Sequence, residues 1–458
     1  MNFLKRKVKI VIIFSLICGI LGAYFYYIET RKLHYESFTE ENVAENITKM
    51  VFSEHIISHL TIADINNDGS VEIIFGTWAG NVVIFNPKSL EVEWYYKIQG
   101  DNSHITVAPA VADLNNDEFP DVIVATWSRL IALSPMKHSV LWETIIQEGK
   151  APPIVVDINK DMTPEILINS LYGEIYCING TNGNFIWTKN VHDLINISNE
   201  SNVYIWNPGV VIDINNDGIL DYIFTCAVRN APSSEGDFII MVNGKTGELL
   251  RSIYLSHSAN PIAVGDLNND EKPEIIASYI GGILILNSTG SLILNVTLPG
   301  KFPEIEGIAI GDINNDGLNE IIVTTFDFHV FAINYYGEIL WCSKLEWPPW
   351  LTHPILADIN GDGILDVIVV GFHHLFYALN GIDGSLIMKY NTSEQLPNTP
   401  CAADLDGDGL VEIAFASEKS LYILQTNGTK CFWYSFMGDC RNCGNAMMLV
   451  DPFFNPFT

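Results

Sequence analysis

Short apolar runs separated by polar turns recur along the chain from about residue 58, and the order within each recurrence is constant. A short apolar strand leads into an acidic turn. A second apolar strand, a turn, a third strand, a Gly- or Asn-bearing hairpin and a fourth strand follow. The third copy displays the later parts as Glu165-Ile-Leu-Ile-Asn, Gly173-Glu-Ile-Tyr-Cys-Ile, the turn Asn179-Gly-Thr-Asn-Gly and Asn184-Phe-Ile-Trp-Thr. Apolar runs of this length bounded by turn residues are the pattern of buried strands. The acidic turns start 49, 44, 56, 53, 46, 46 and 46 residues apart, a period in the range of propeller blades. Eight copies of four strands predict an all-β, eight-bladed β-propeller over residues 58–438. A seven-bladed ring with one split or divergent repeat is the alternative. A tryptophan falls 29 or 30 residues after the start of the turn in five copies (Trp94, Trp142, Trp187, Trp341 and Trp433), which predicts packing between neighbouring blades.

The acidic turns carry the candidate chemistry. Each places side-chain oxygens at positions one, three, five and nine: Asp64, Asn66, Asp68 and Glu72; Asp113, Asn115, Asp117 and Asp121; Asp157, Asn159, Asp161 and Glu165; Asp213, Asn215, Asp217 and Asp221; Asp266, Asn268, Asp270 and Glu274; Asp312, Asn314, Asp316 and Glu320; Asp358, Asn360, Asp362 and Asp366; Asp404, Asp406, Asp408 and Glu412. Side chains at alternate positions of a tight loop converge on its concave side, and the ninth closes the cage from the next strand. Six to eight flexible oxygens are what calcium requires, so the spacing predicts up to eight calcium ions. Position two is always Ile or Leu and is expected to anchor each loop in the core. Gly stands at position six in five loops, where a positive φ is expected. Glu118, Met162 and Glu271 stand there in the other three, which also share a proline at position eight (Pro120, Pro164, Pro273). These three are read as a second subtype with weaker binding.

The loops account for much of the acidity. Three carboxylates in seven of them and four in the last make 25 of the chain's 54 acidic residues. Eight calcium ions would bring the formal charge from -30 to -14. No basic stripe points to nucleic acid.

The segments Ala63-Asp-Ile-Asn-Asn-Asp-Gly-Ser-Val-Glu-Ile-Ile and Ala403-Asp-Leu-Asp-Gly-Asp-Gly-Leu-Val-Glu-Ile-Ala resemble the FG-GAP/VCBS repeats that build the propeller of integrin α chains. The resemblance covers about residues 58–438. It implies calcium at the four ligand positions of each loop. Integrin-like domains usually have seven blades with metal in only some, and the Phe-Gly and Gly-Ala-Pro signatures are largely absent here. Integrin-type ligand recognition is therefore not implied.

The N-terminus carries Lys5, Arg6, Lys7 and Lys9 and then nineteen residues, Ile10–Ile28, without a charge. As a helix this segment spans about 28 Å, enough for a bilayer core of about 30 Å. It ends in Tyr24-Phe-Tyr-Tyr, an interfacial aromatic belt rather than a small-residue cleavage site. The reading is a cytoplasmic basic tail (1–9), an uncleaved transmembrane signal anchor (10–28), a stalk (29–57), the propeller outside the cell membrane (58–438) and a C-terminal tail (439–458). The tail's Cys440 and Cys443 form a lone CxxC, read as a local disulfide. Eight Asn-X-Ser/Thr sequons are compatible with glycosylation.

Turns between second and third strands, and links between blades, lie on the face away from the acidic loops. They are rich in aromatics, and Trp206, Trp347, Trp350 and His353 are the candidate partner-binding residues. The leading functional reading is a non-enzymatic, membrane-anchored, calcium-binding propeller that binds extracellular protein or glycan in adhesion at the cell surface. The alternatives are a polysaccharide lyase or hydrolase on a calcium propeller, a quinoprotein dehydrogenase and a scaffold for assembling surface polymers. No isolated carboxylate pair or nucleophile triad stands at the predicted loops of the aromatic face.

Overall fold

The computed structural model describes residues 40–432 apart from 45, 101, 199, 231–235, 256–260, 301–303, 347–348, 350–351 and 372, together with 438, 439 and 442. The expected anchor at 10–28, Trp347, Trp350, Trp433, Cys440 and Cys443 lie outside the described residues. No helix among the described residues is long and apolar enough to cross a membrane.

Eight antiparallel sheets follow one another along the chain. Blade 1 consists of Thr61–Ala63, Glu72–Gly76, Asn81–Asn86 and Glu91–Lys97, paired in sequence order from hub to rim. Its three inner strands are buried throughout and its outer strand alternates between exposed and half-buried positions. Sequence dictates this gradient. Runs such as Glu72-Ile-Ile-Phe-Gly are sandwiched between neighbouring blades and need apolar side chains on both faces, whereas Glu91-Val-Glu-Trp-Tyr-Tyr-Lys has one wet face. The inner strands of blades 4 to 8 (Val210–Ile212, Ile262–Gly265, Ile305–Gly311, Ile355–Ala357 and Cys401–Ala403) lie side by side in order, and that of blade 8 lies beside that of blade 1. The ring therefore has eight blades, not seven.

Closure departs from the expected domain boundary. The outer strand of blade 8 is not drawn from the residues around Trp433. Ile47–Val51, assigned from sequence to the stalk, pairs antiparallel with Ser420–Gln425, with Ile47 opposite Leu424 and Val51 opposite Ser420. Ile47 and Met50 point inward and are at most 1 % exposed. Glu40–Ala44 adds a fifth strand outside it. The first and last parts of the ring thus share one sheet.

After blade 8 the chain turns to the hub. Cys431 bridges Ala357 of blade 7, and Asn442 Nδ2 donates to the carbonyls of Pro109 and Pro153, which precede the inner strands of blades 2 and 3, at 3.2 Å each. Asp439 and Asn442 are buried, so the tail contributes to the ring's interior beyond residue 438.

The outer-strand tryptophans join blades, as their spacing predicts. Trp142 Nε1 donates to Gly180 O at 2.6 Å, Trp187 to Gly244 O at 2.7 Å and Trp341 to Gly381 O at 2.7 Å, each acceptor lying in the hairpin of the next blade. The indole packs against a glycine of that hairpin, Gly183, Gly247 or Gly384. A Cβ at Gly384 would come within 2.5 Å of Trp341, and the residue holds φ +68°, so only glycine fits. Replacing Trp187, 8 % exposed, by Ala removes both the packing and the hydrogen bond. A loss of about 3–5 kcal/mol in unfolding free energy is expected from denaturant titration, with Trp187→Phe losing only part of it.

Candidate functional site: eight acidic loops on one face

Each acidic loop joins the innermost strand of a blade to the second, so all eight open on one face of the ring. In blade 1, Asp64 turns inward: Oδ1 accepts from Asp68 N at 3.2 Å and Oδ2 from Gly69 N at 2.9 Å. Asn66 Oδ1 accepts from Asp68 N at 2.9 Å, and Asp68 Oδ1 from Ser70 N at 2.8 Å. Glu72 reaches back from the second strand and accepts from Ile65 N at 3.0 Å through Oε2. Two of these bonds recur in every loop. The position-six amide donates to the first Asp at 2.7–3.0 Å. The position-two amide donates to the ninth-position carboxylate at 2.7–3.2 Å. Positions one, two, six and nine therefore shape the loop. The other oxygen of the ninth residue is buried without a partner in blades 2 and 8 (Asp121 Oδ1 and Glu412 Oε1) and accepts from a neighbouring group at 3.2–3.5 Å in blades 1, 3, 4, 5 and 7.

The backbone explains the remaining sequence preferences. Position six has φ between +64° and +89° in all eight loops, whether Gly69, Gly218, Gly317, Gly363 and Gly409 or Glu118, Met162 and Glu271 stand there. Position four is also left-handed, with Asn67, Asn116, Lys160, Asn216, Asn269 and Asn315 at +55° to +61° and Gly361 and Gly407 at +82° and +81°. Asn and Gly tolerate that region best. The Asn at position four was the available signal for this second left-handed residue. Position-two side chains are buried, from Leu114 and Leu267 at 0 % to Ile359 at 8 %.

Burial of the ninth-position carboxylates is the main electrostatic feature. Burial pushes Glu72 up to about 8, opposed by the Ile65 amide and reinforced by Glu93, Asp64 and Asp68. For the same reason Asp121 and Asp221 rise to about 6, and Glu165, Glu274, Glu320, Asp366 and Glu412 to about 7. In blade 8, oxygens of Asp404, Asp406 and Glu412 lie within 4.8 Å of one another, and the buried Oε1 of Glu412 has no hydrogen-bond partner. An all-oxygen donor set with an unpartnered buried carboxylate oxygen suits a hard cation. Blade 2 has its own counter-charge: Lys137 Nζ is 2.5 Å from Asp117 Oδ2.

Of the four partner-binding candidates, Trp206 and His353 are among the described residues. Trp206 is 51 % exposed, as expected of an anchor. His353 is not: at 4 % exposure it lies between blades, its amide donating to Thr399 Oγ1 at 3.0 Å, and burial pushes its imidazole down to about 4. It precedes the inner strand of blade 7, where neighbouring blades leave no wet surface, and this removes it from the candidate surface.

Residues 60–124, 213–277 and 358–415 match the FG-GAP-like repeat family. The chain is an eight-bladed propeller carrying FG-GAP-like repeats. The matched segments contain six of the acidic loops, and the loops starting at Asp157 and Asp312, outside them, have the same hydrogen bonds. No curated protein matches the chain. Among solved structures, the FG-GAP-like propeller is similar to the V. cholerae biofilm matrix protein Bap1 (11 % identity, 93 % of this chain and 97 % of that one, TM-score 0.58). It is also similar to BamB from Moraxella catarrhalis (14 % identity, 85 % and 100 %, TM-score 0.52). A third likeness is to the quinohemoprotein alcohol dehydrogenase ADHIIG of Pseudomonas putida HK5 (10 % identity, 83 % and 76 %, TM-score 0.62). At these identities the likeness is one of fold.

Proposed function

We propose that the eight loops hold calcium and that the ring so stabilised is a non-catalytic platform. Tethered outside the cell membrane by Ile10–Ile28, it binds protein or glycan at the cell surface. The observation that carries the calcium reading is the loop of blade 8, where three acidic side chains converge and Glu412 Oε1 is buried without a partner. The common hydrogen bonding extends that reading to the other seven. Bound calcium supplies positive charge and ties the loop to the second strand of its blade. The chain's own part is to pre-shape the cage: position one fixes the turn through the position-six amide, while position nine is aimed by the position-two amide. Loop carboxylates committed in this way are not free for acid–base chemistry, which favours a binding role over a hydrolytic one.

Glu412→Gln tests the assignment at the best-defined loop. The variant keeps shape and the acceptor for Leu405 N but gives up the charge. It is expected to bind one calcium fewer per chain by elemental analysis after desalting. An unchanged calcium content would remove Glu412 from the ligand set.

A further inference from the structure

The face opposite the acidic loops carries a row of aromatic rings that passes from blade to blade. Trp78, in the turn after the second strand of blade 1, stacks on His104 of the following link, with ring centres 4.2 Å apart and planes 19° apart. His104 meets Trp127, in the equivalent turn of blade 2, edge-on at 5.7 Å. The link from blade 2 to blade 3 then contributes Lys150, whose Nζ sits 4.7 Å from the centre of the Trp127 ring. Two residues earlier in that link, Glu148 O accepts from Leu171 N at 3.1 Å, which brings the link against Tyr172. Tyr172 lies 6.2 Å from Tyr204, and Tyr204 stacks on Trp206 at 5.4 Å with planes 8° apart.

These rings are not part of the blade cores. Tyr172 and Trp206 are 49 % and 51 % exposed, and Trp78, His104, Trp127 and Tyr204 are half-buried. The Trp127 indole N–H faces inward and is buried. Large flat rings left partly wet are a recognition surface rather than filler.

We propose that this row, across blades 1 to 4, binds a neutral polysaccharide chain, a proposal that rests on the platform reading above and names its ligand. Sugar rings present apolar C–H faces that stack on aromatic planes such as those of Trp78, Tyr172 and Trp206. Nucleic acid also stacks on aromatics, but it needs a cationic groove. Here Lys150 over Trp127 is accompanied by Glu148, whose charge acts on Tyr172, and the chain as a whole stays negative even with eight calcium ions bound. That balance disfavours polyanions, acidic polysaccharides included, and leaves a neutral chain as the complementary partner. Spread over four blades, the row fits a polymer better than a single sugar.

The test is affinity electrophoresis of the full chain in detergent and calcium through gels containing mannan, dextran, a mixed-linkage β-glucan or, as the acidic comparison, alginate. At least one neutral polymer is expected to retard the protein, and alginate is not. The double variant Trp206→Ala/Tyr172→Ala is expected to weaken retardation by roughly ten-fold or more, the scale of lost ring stacking, with calcium content and melting unchanged. Absence of retardation by all three neutral polymers, or retardation by alginate alone, overturns the proposal. Retardation that survives both the double variant and Trp78→Ala places the glycan elsewhere and also overturns it, while leaving the platform reading standing. Loss of retardation together with a lowered melting temperature in all the variants marks the rings as packing. The calcium reading is judged separately, by metal content.

Discussion

Stripping calcium from the purified protein is expected to lower its melting temperature by on the order of 10 °C or more. An ion that binds only the native state stabilises it by RT ln(1 + [L]/Kd), about 1.4 kcal/mol per site at ten times Kd. Eight independent sites at that level give about 11 kcal/mol, comparable to the whole net stability of a typical domain, about 5–15 kcal/mol. The effect is large because each loop concentrates negative charge. Without a cation, Asp404, Asp406 and Glu412 face one another within 4.8 Å, and burial already opposes ionisation of Glu412. Magnesium, which prefers tight octahedral coordination and keeps its water, is expected to restore the melt poorly. Differential scanning calorimetry in chelator, calcium and magnesium reads this directly; an identical melt in all three contradicts it.

The second large effect concerns closure. Deleting residues 1–38, which precede the first described strand, is expected to leave the melt nearly unchanged. Extending the deletion through Val51 removes the outer strand of blade 8 and leaves Ser420–Gln425 as an open edge. The loss includes the burial of Ile47 and Met50, about 1.5–3 kcal/mol each. It also includes the ladder and the Lys49 to Glu394 contact at 3.1 Å. The truncated chain is expected to unfold or aggregate at 37 °C. Met50→Asp, which buries a charge at the same seam, is expected to act in the same direction in the full chain. Equal stability of the two truncations would mean that the ring is not closed by Ile47–Val51.

The acidic loops and the strands around them are local, and that is why they were legible. The spacing of the acidic residues, the buried Ile or Leu at position two and the left-handed position six are all set within nine residues, and the structure repeats this loop shape eight times. The tryptophan latch was legible for Trp142, Trp187 and Trp341 because a fixed repeat position implies a fixed neighbour. Closure was not. Ile47-Thr-Lys-Met-Val carries no acidic loop to mark it, and its partner lies 369–377 residues away, so nothing local separates it from a stalk. Trp433, whose spacing suggested a fourth strand for blade 8, lies outside the described residues, and the place beside the third strand is taken by Ile47–Val51. His353 reads as a surface residue in an aromatic-rich link, and only the packing of neighbouring blades buries it. His104, Lys150 and Tyr204 escaped because ring stacking between links depends on blades that sequence does not place side by side.

The most direct test of the account is the number of calcium ions bound per chain. Isothermal titration of the metal-stripped protein, checked by native mass spectrometry, is expected to give close to eight. The weaker class is expected to be the loops of blades 2, 3 and 5, which hold Glu118, Met162 and Glu271 in a backbone conformation that favours glycine. A stoichiometry of one or none would contradict the account at its centre.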